Sequence, residues 1–164
     1  LVGTHARDKD AIVAVMMLCE AAAYYRTKGL TLWDQMQNIY KKYGFFKEGI
    51  QTMTLKGADG VAQIQAIMDG FRANPPKKLG AYDVVSFRDY KKDTILDLAT
   101  GKVTPTGLPN SNVLYFDLTD DAWVCVRPSG TEPKIKFYIG VKGTDNADAD
   151  VKLKALTDAL MALA

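Results

Sequence analysis

Apolar positions change their spacing along the chain, and each change marks an element. Between residues 8 and 28 they close up into Ala11-Ile12-Val13-Ala14-Val15-Met16-Met17-Leu18, apolar around nearly the whole circumference of a helix. Such a helix needs cover on all sides, so this segment is expected to belong inside a larger α/β body, with Gly29 as its C-cap. Thr31 and Asp34 then form the start signal of a second helix. Its stripe is Leu32, Met36, Ile39 and Tyr40 or Tyr43, and Gly44 ends it. The stretch Phe45 to Leu55 reads as a strand, with alternation clearest from Ile50 onward. A third helix is predicted from about Asp59 to Arg72, with Val61, Ile64, Met68 and Phe71 at spacings of three and four. Asn74-Pro75-Pro76 stops it.

Tyr82 to Phe87 is the next predicted strand. Lys91 to Asn112 is polar and rich in Pro and Gly, and reads as a long surface connection. Asn112 to Leu118 alternates as a strand, with Leu114, Phe116 and Leu118 on one face. Ala122-Trp123-Val124-Cys125-Val126 reads as a buried strand, and Lys134 to Ile139 as another. The last helix, Asp148 to Leu163, carries Leu153, Leu156, Leu160 and Leu163 on one stripe. Consecutive strands joined by short loops imply an antiparallel sheet, and two amphipathic helices imply one covered face. The fold class is therefore α+β, preceded by helices from the end of an α/β domain. The boundary falls near Tyr43–Phe46, giving domains 1–43 and 44–164.

Composition narrows the partners. At 48% hydrophobic and 24% charged the chain can bury a real core. A net charge of +2 with scattered basic residues argues against nucleic acid. Cys19 and Cys125 lie in apolar runs, which suggests reduced, buried thiols and a cytoplasmic protein. One histidine and no CxxC or HxxxH spacing give no metal site in this chain. The most apolar segment, Ala11 to Tyr25, is interrupted by Glu20 and is shorter than the roughly 20 residues a bilayer needs, so no membrane association is expected. No signal peptide is visible and Leu1 is not an initiator methionine, so the chain reads as a cut from something longer.

The candidate chemistry sits between the two strands at Arg127-Pro128-Ser129-Gly130-Thr131-Glu132-Pro133. Arginine presents a planar fork of donors matched to phosphate oxygens, and the hydroxyls of Ser129 and Thr131 add two more. Gly130 allows the backbone to bend and bring N–H groups to an anion, while Pro128 and Pro133 restrict the flanks. Pro, Ser, Gly and Thr also suit an ordinary hairpin turn, so residue types alone leave both readings open. Lys134 and Lys136 share the open sheet face, either as solvated lysines or as an auxiliary positive field. Glu132 suits a turn brace or a lysine partner better than a phosphate contact, and Trp123 and Cys125 suit packing.

The loop, its approach Ser111-Asn112-Val113-Leu114, its exit Lys134-Ile135-Lys136-Phe137-Tyr138 and the separate Arg7-Asp8-Lys9-Asp10 together resemble the α-D-phosphohexomutases, the family of phosphoglucomutase and phosphomannomutase. The resemblance covers the whole chain but only the C-terminal portion of a four-domain enzyme. It implies a C-terminal domain with a four-stranded antiparallel sheet, preceded by the end of domain three. It implies that Arg127, Ser129, Gly130 and Thr131 hold the substrate phosphate, with Lys136 auxiliary. It further implies that Lys9 faces the reacting sugar as a general acid or base, and that His5 lies near the sugar. His5 alone also suits a surface residue, and Lys9 a solvated first-turn lysine, although a cation is unfavourable at that end of a helix.

The implied reaction interconverts hexose 1-phosphate and 6-phosphate through a phosphoserine and a bisphosphate intermediate. Mg²⁺ and glucose 1,6-bisphosphate are implied for the full-length enzyme, with neither held by residues of this chain. The phosphoserine, the magnesium loop and the sugar-selecting loop would lie on the remaining domains of the same polypeptide, so this part alone is expected to be inactive. A phosphomannomutase or phosphopentomutase of the same family, or a non-catalytic phosphate-binding module, are the alternatives.

Overall fold

A computed structural model describes residues 2–55, 57 and 59–164. Leu1, on which the expectation of a cut terminus turns, lies outside them. The chain divides into two compact units, Leu1–Gly44 and Phe45–Ala164.

The first unit holds α1 (Ala11–Arg26) and α2 (Leu32–Tyr43). α1 begins three residues later than the apolar pattern suggests because Asp10 takes the cap position, its Oδ1 accepting the Val13 N–H at 3.0 Å. Its C-cap is Thr27, not Gly29; Gly29 lies beyond it at φ +70°, where the chain turns back so that Leu30 N–H reaches Tyr25 O at 3.0 Å. α2 has the full capping box of Thr31 and Asp34. No residue of either helix is buried, and Ile12 is 77% exposed. The cover that α1 calls for is not found inside its own unit. Cys19 is likewise exposed, contrary to the expectation of a buried thiol.

The second unit is one antiparallel sheet with two helices on one face. Its elements are β1 (Phe45–Thr54), α3 (Asp59–Ala73), β2 (Lys78–Leu79), β3 (Tyr82–Asp89), β4 (Thr94–Asp97), β5 (Val103–Thr104), β6 (Leu114–Leu118), β7 (Trp123–Pro128), β8 (Lys134–Gly143) and α4 (Asn146–Met161). The sheet order is β1-β8-β7-β6-β3-β4-β5, with β2 pairing the start of β3. Eight strands thus replace the expected four. The three strands that the apolar pattern did not predict, β2, β4 and β5, are short, and β4 and β5 form an edge hairpin inside the polar stretch read as a connection. Asp97 organises its turn, one carboxylate oxygen accepting the N–H groups of Ala99 and Thr100. An edge hairpin held by such turn bonds has little need of apolar alternation, which is why the pattern missed it.

The core is the helix-facing side of the sheet. Leu114, Phe116 and Leu118 of β6, Val124 and Val126 of β7, and Ile135, Phe137, Ile139 and Val141 of β8 are all buried there. Ile64, Met68 and Phe71 of α3 and Leu156 and Leu160 of α4 pack against them. Val61, predicted on the same stripe, is 66% exposed. α4 starts at Asn146, earlier than predicted, since Asp145 caps it through the Asp148 N–H at 2.8 Å. Leu163 falls past its end and is exposed.

The other sheet face carries no helix among the described residues of this unit and is laid out in pairs. Arg88 grips Asp117 with two bonds of 2.8 and 2.7 Å, and the Ser86 hydroxyl donates to the same carboxylate. The Arg88 guanidinium lies 5.0 Å from the Tyr115 ring centroid, and Tyr115 stacks on Trp123 at 5.6 Å and 11°. Trp123 lies over Gly140, its cross-strand neighbour; a Cβ there would sit 2.2 Å from the indole Nε1. Cys125 is half-buried on this face, not in the core, and burial pushes its thiol up against the opposing charge of Arg127. No helix among the described residues is long and apolar enough to cross a membrane.

Candidate anion site

The alternation of β7 decides what its last residues do. Val124 and Val126 point into the core, so Trp123, Cys125 and Arg127 take the open face. β8 alternates in the same way, burying Ile135, Phe137 and Ile139 and sending Lys134, Lys136 and Tyr138 outward. The register then sets Arg127 opposite Lys136 and Cys125 opposite Tyr138. Arg127 and Lys136 have no carboxylate partner among the described residues. Like charges directly opposite on one sheet face repel, and an anion between them removes the repulsion.

The loop closes the end of this pair. Ser129 N–H donates to Lys134 O at 2.8 Å and Lys134 N–H to Glu132 O at 2.8 Å, so the turn is pinned by its own backbone. Ser129 Oγ accepts the N–H groups of Thr131 (3.4 Å) and Glu132 (3.2 Å), which leaves its hydroxyl hydrogen to donate outward. Pro133 O accepts the Leu55 N–H at 3.0 Å and ties the loop exit to the end of β1. Glu132 pairs with Lys134 at 2.9 Å, as a turn brace should. The Gly130 N–H has no acceptor among the described residues. Gly130 is not in the left-handed region, so the bend does not require it. A Cβ there would meet nothing within 4 Å, so the space over the backbone at Gly130 is open.

Two hollows flank the loop. One, of about 340 Å³, is lined by Arg127, Pro128, Ser129, Gly130, Thr131, Lys136 and Tyr138. It holds two cations, two hydroxyls and a phenol, with no carboxylate in its wall. The other, of about 310 Å³, shares Pro128 to Thr131 with the first and is otherwise lined by Glu132, Pro133, Asn112 and the α3 residues Val61, Ile64 and Gln65. The structure therefore brings together Arg127, Ser129, Gly130, Thr131 and Lys136. Sequence reasoning missed Tyr138, although it shares its parity on β8 with Lys136. It also missed the polar wall from α3, which no local spacing connects to the loop.

His5 and Lys9 belong to the first unit. His5 Nε2 lies 2.8 Å from Asp10 Oδ2, on the residue that caps α1, and its side chain is 61% exposed. Lys9 precedes the helix instead of occupying its first turn; it is 91% exposed and reaches Asp8 at 2.7 Å. Neither contacts the other in the structure. No group of three or more His, Cys, Asp or Glu placed to hold a metal occurs among the described residues.

The family model of the phosphoglucomutase/phosphomannomutase C-terminal domain matches residues 26–156. Phosphoglucomutases of Staphylococcus aureus strains MRSA252 and USA300 are each 35% identical over 150 residues, covering 92% of this chain and 27% of theirs. The chain thus spans about a quarter of the length of these curated relatives. Among solved structures, the open form of the exocytosis-sensitive phosphoprotein pp63/parafusin (phosphoglucomutase) from Paramecium aligns with a TM-score of 0.50 and 15% identity. That alignment covers 96% of this chain and 28% of parafusin, a likeness of fold.

Proposed function

Because the chain belongs to the phosphoglucomutase/phosphomannomutase family, in the stretch that forms its C-terminal domain, we propose that it is the phosphate-gripping part of a phosphoglucomutase-type enzyme. The whole enzyme would interconvert hexose 1-phosphate and 6-phosphate through a phosphoserine and a bisphosphate intermediate. The observation that carries this reading is the Arg127–Lys136 pair, two uncompensated cations facing each other beside a loop of free donors. A phosphate dianion matches that charge of two. Arg127 supplies a forked donor, Ser129 and Thr131 supply hydroxyls, and the Gly130 N–H supplies a backbone donor.

A mutase of this kind must hold one phosphate while the other reacts, and must do so in either orientation of the sugar. A loop that recognises phosphate through its charge and oxygens tolerates that reversal. The binding energy of the idle phosphate then orients the reacting end. Mg²⁺ and the phosphoryl-carrying serine are proposed for the remaining domains of the same polypeptide. Residues 1–43 are assigned to the end of the preceding domain, where Lys9 serves as general acid or base and His5 lies near the sugar. The remainder, 44–164, is the phosphate-binding domain, and the protein is placed in the cytoplasm.

Titration of inorganic phosphate into the protein, followed by amide chemical shifts, tests the grip. Perturbations centred on Gly130, Thr131 and Lys136 that vanish in Arg127→Ala are expected. Shifts scattered elsewhere, or unchanged in that variant, would overturn the assignment.

A further inference from the structure

Behind the loop, a buried ion pair fixes the orientation of one neutral side chain. Arg72 of α3 is 6% exposed and its Nε donates to Asp89 Oδ2 at 3.2 Å; Asp89, at the end of β3, is 1% exposed. Two charges so deeply buried cost stability unless every donor and acceptor is used. Asp89 uses its second oxygen on the Lys91 N–H at 3.1 Å. The terminal Nη2 of Arg72 extends past Asp89 to the carboxamide oxygen of Asn112.

Guanidinium is a donor only, so it must meet the oxygen of the Asn112 amide and not its nitrogen. The NH₂ end is thereby turned away from Arg72. It has no acceptor among the described residues, and Asn112 lines the second hollow beside Ser129, Gly130 and Thr131. That hollow differs in character from the cationic one. Beyond the shared loop residues its polar walls are the amides Asn112 and Gln65 and the carboxylate of Glu132, over the apolar Val61, Ile64 and Pro133. Amide donors above an apolar floor, with a carboxylate in the wall, suit hydroxyl and ring oxygens better than a dianion.

We propose that Asn112 contacts the organic part of a phosphate monoester held by the loop, its side-chain NH₂ donating to a sugar oxygen. Arg72 and Asp89 are the positioning residues that aim it. The inference rests on the phosphate reading of the loop. The two hollows share Pro128 to Thr131 in their walls, and we place the group esterified to a loop-held phosphate in the second. The burial of the ion pair serves rigidity: an amide held by a buried guanidinium is set before ligand arrives.

The test compares glucose 6-phosphate with inorganic phosphate by calorimetric titration of the intact protein. Asn112→Ala is expected to weaken glucose 6-phosphate about fivefold to tenfold, the loss of one neutral hydrogen bond, and to leave inorganic phosphate unchanged. Arg72→Lys, which keeps the charge beside Asp89 but loses the second arm of the fork, is expected to give a smaller loss with the same selectivity. If Asn112→Ala lowers Tm, Asn112→Ser makes the same comparison, since it still offers Arg72 an acceptor but falls short of the hollow. Equal weakening of both ligands, or of neither, would overturn the proposal. Arg127→Ala separates the two readings: it must weaken both ligands if the loop grips phosphate. Failure there removes the underlying reading, whereas failure of the Asn112 variants alone removes only this inference.

Discussion

Arg127 and Lys136 are register partners on the open face of β7 and β8, two cations directly opposite with no carboxylate partner among the described residues. The arrangement costs stability in the free protein. Lys136→Gln is therefore expected to raise the unfolding free energy by roughly 0.2–0.5 kcal/mol while weakening phosphate binding. Urea melts and phosphate titration on the same variant check the two signs; a loss of stability together with unchanged affinity would remove the repulsion argument.

Arg127 should dominate the grip, because its fork can hold two phosphate oxygens at once. In the full-length enzyme, Arg127→Ala is expected to lower kcat/KM by about 10²-fold or more, close to 3 kcal/mol of charge-assisted contact. Steady-state kinetics with glucose 1-phosphate measure it. The 164-residue chain assayed alone is expected to show no conversion.

Gly140 exists to admit Trp123. Gly140→Ala forces a methyl group to 2.2 Å from the indole nitrogen, and the ring cannot yield without leaving Tyr115. A destabilisation of about 1–3 kcal/mol is expected, with a shift in tryptophan emission as the stack opens. A variant with unchanged emission and Tm would mean that the indole has another place to go.

Tyr115 gives the domain an alkaline edge. Burial, and then the nearby charge of Asp117, push its hydroxyl up to about 12 from an ordinary 10. The folded state therefore holds this proton where the unfolded chain has released it. Its contribution is complete below pH 10 and is lost as pH rises through about 12. Tyr115→Phe should flatten the fall in stability across that window, read from denaturant melts at stepped pH.

The thiols should react in order. Cys19 is exposed within its unit, whereas Cys125 is half-buried with its thiol pushed up by that burial. Limited alkylation of the 164-residue chain near neutral pH, mapped by mass spectrometry, is expected to label Cys19 first. Labelling of Cys125 first would contradict the burial of β7.

Much of this architecture was legible in the sequence where a periodic apolar pattern met a core. Leu114, Phe116 and Leu118, or Ile64, Met68 and Phe71, could be assigned to their buried faces from spacing alone, because burial in a single sheet–helix layer enforces that spacing. β4 and β5 could not, since their turns are held by Asp93 and Asp97 accepting backbone N–H groups and not by apolar burial. At the site, residue chemistry marked Arg127, Ser129 and Thr131 before any geometry was known. The pairing of Arg127 with Lys136 was not legible, because it depends on register across β7 and β8. In the sequence Asn112 marks only the end of a polar connection and the start of a strand; its link to Arg72 joins residues 40 apart through a buried charge that no local pattern announces.

The ladder of β1 and β8 runs without interruption from the Phe45–Gly143 pair to the Thr54–Lys134 pair. The domain's first strand therefore enters at one end of a stiff ribbon and the loop hangs at the other, with Leu55 and Pro133 bonded just beyond. Ten residues of antiparallel strand span about 30 Å. A rotation of about 5° at the Phe45 end would swing the loop by nearly 3 Å over that length, comparable to one hydrogen bond. The ribbon is thus a lever arm, which turns a small angle at the Phe45 end into a displacement of the loop.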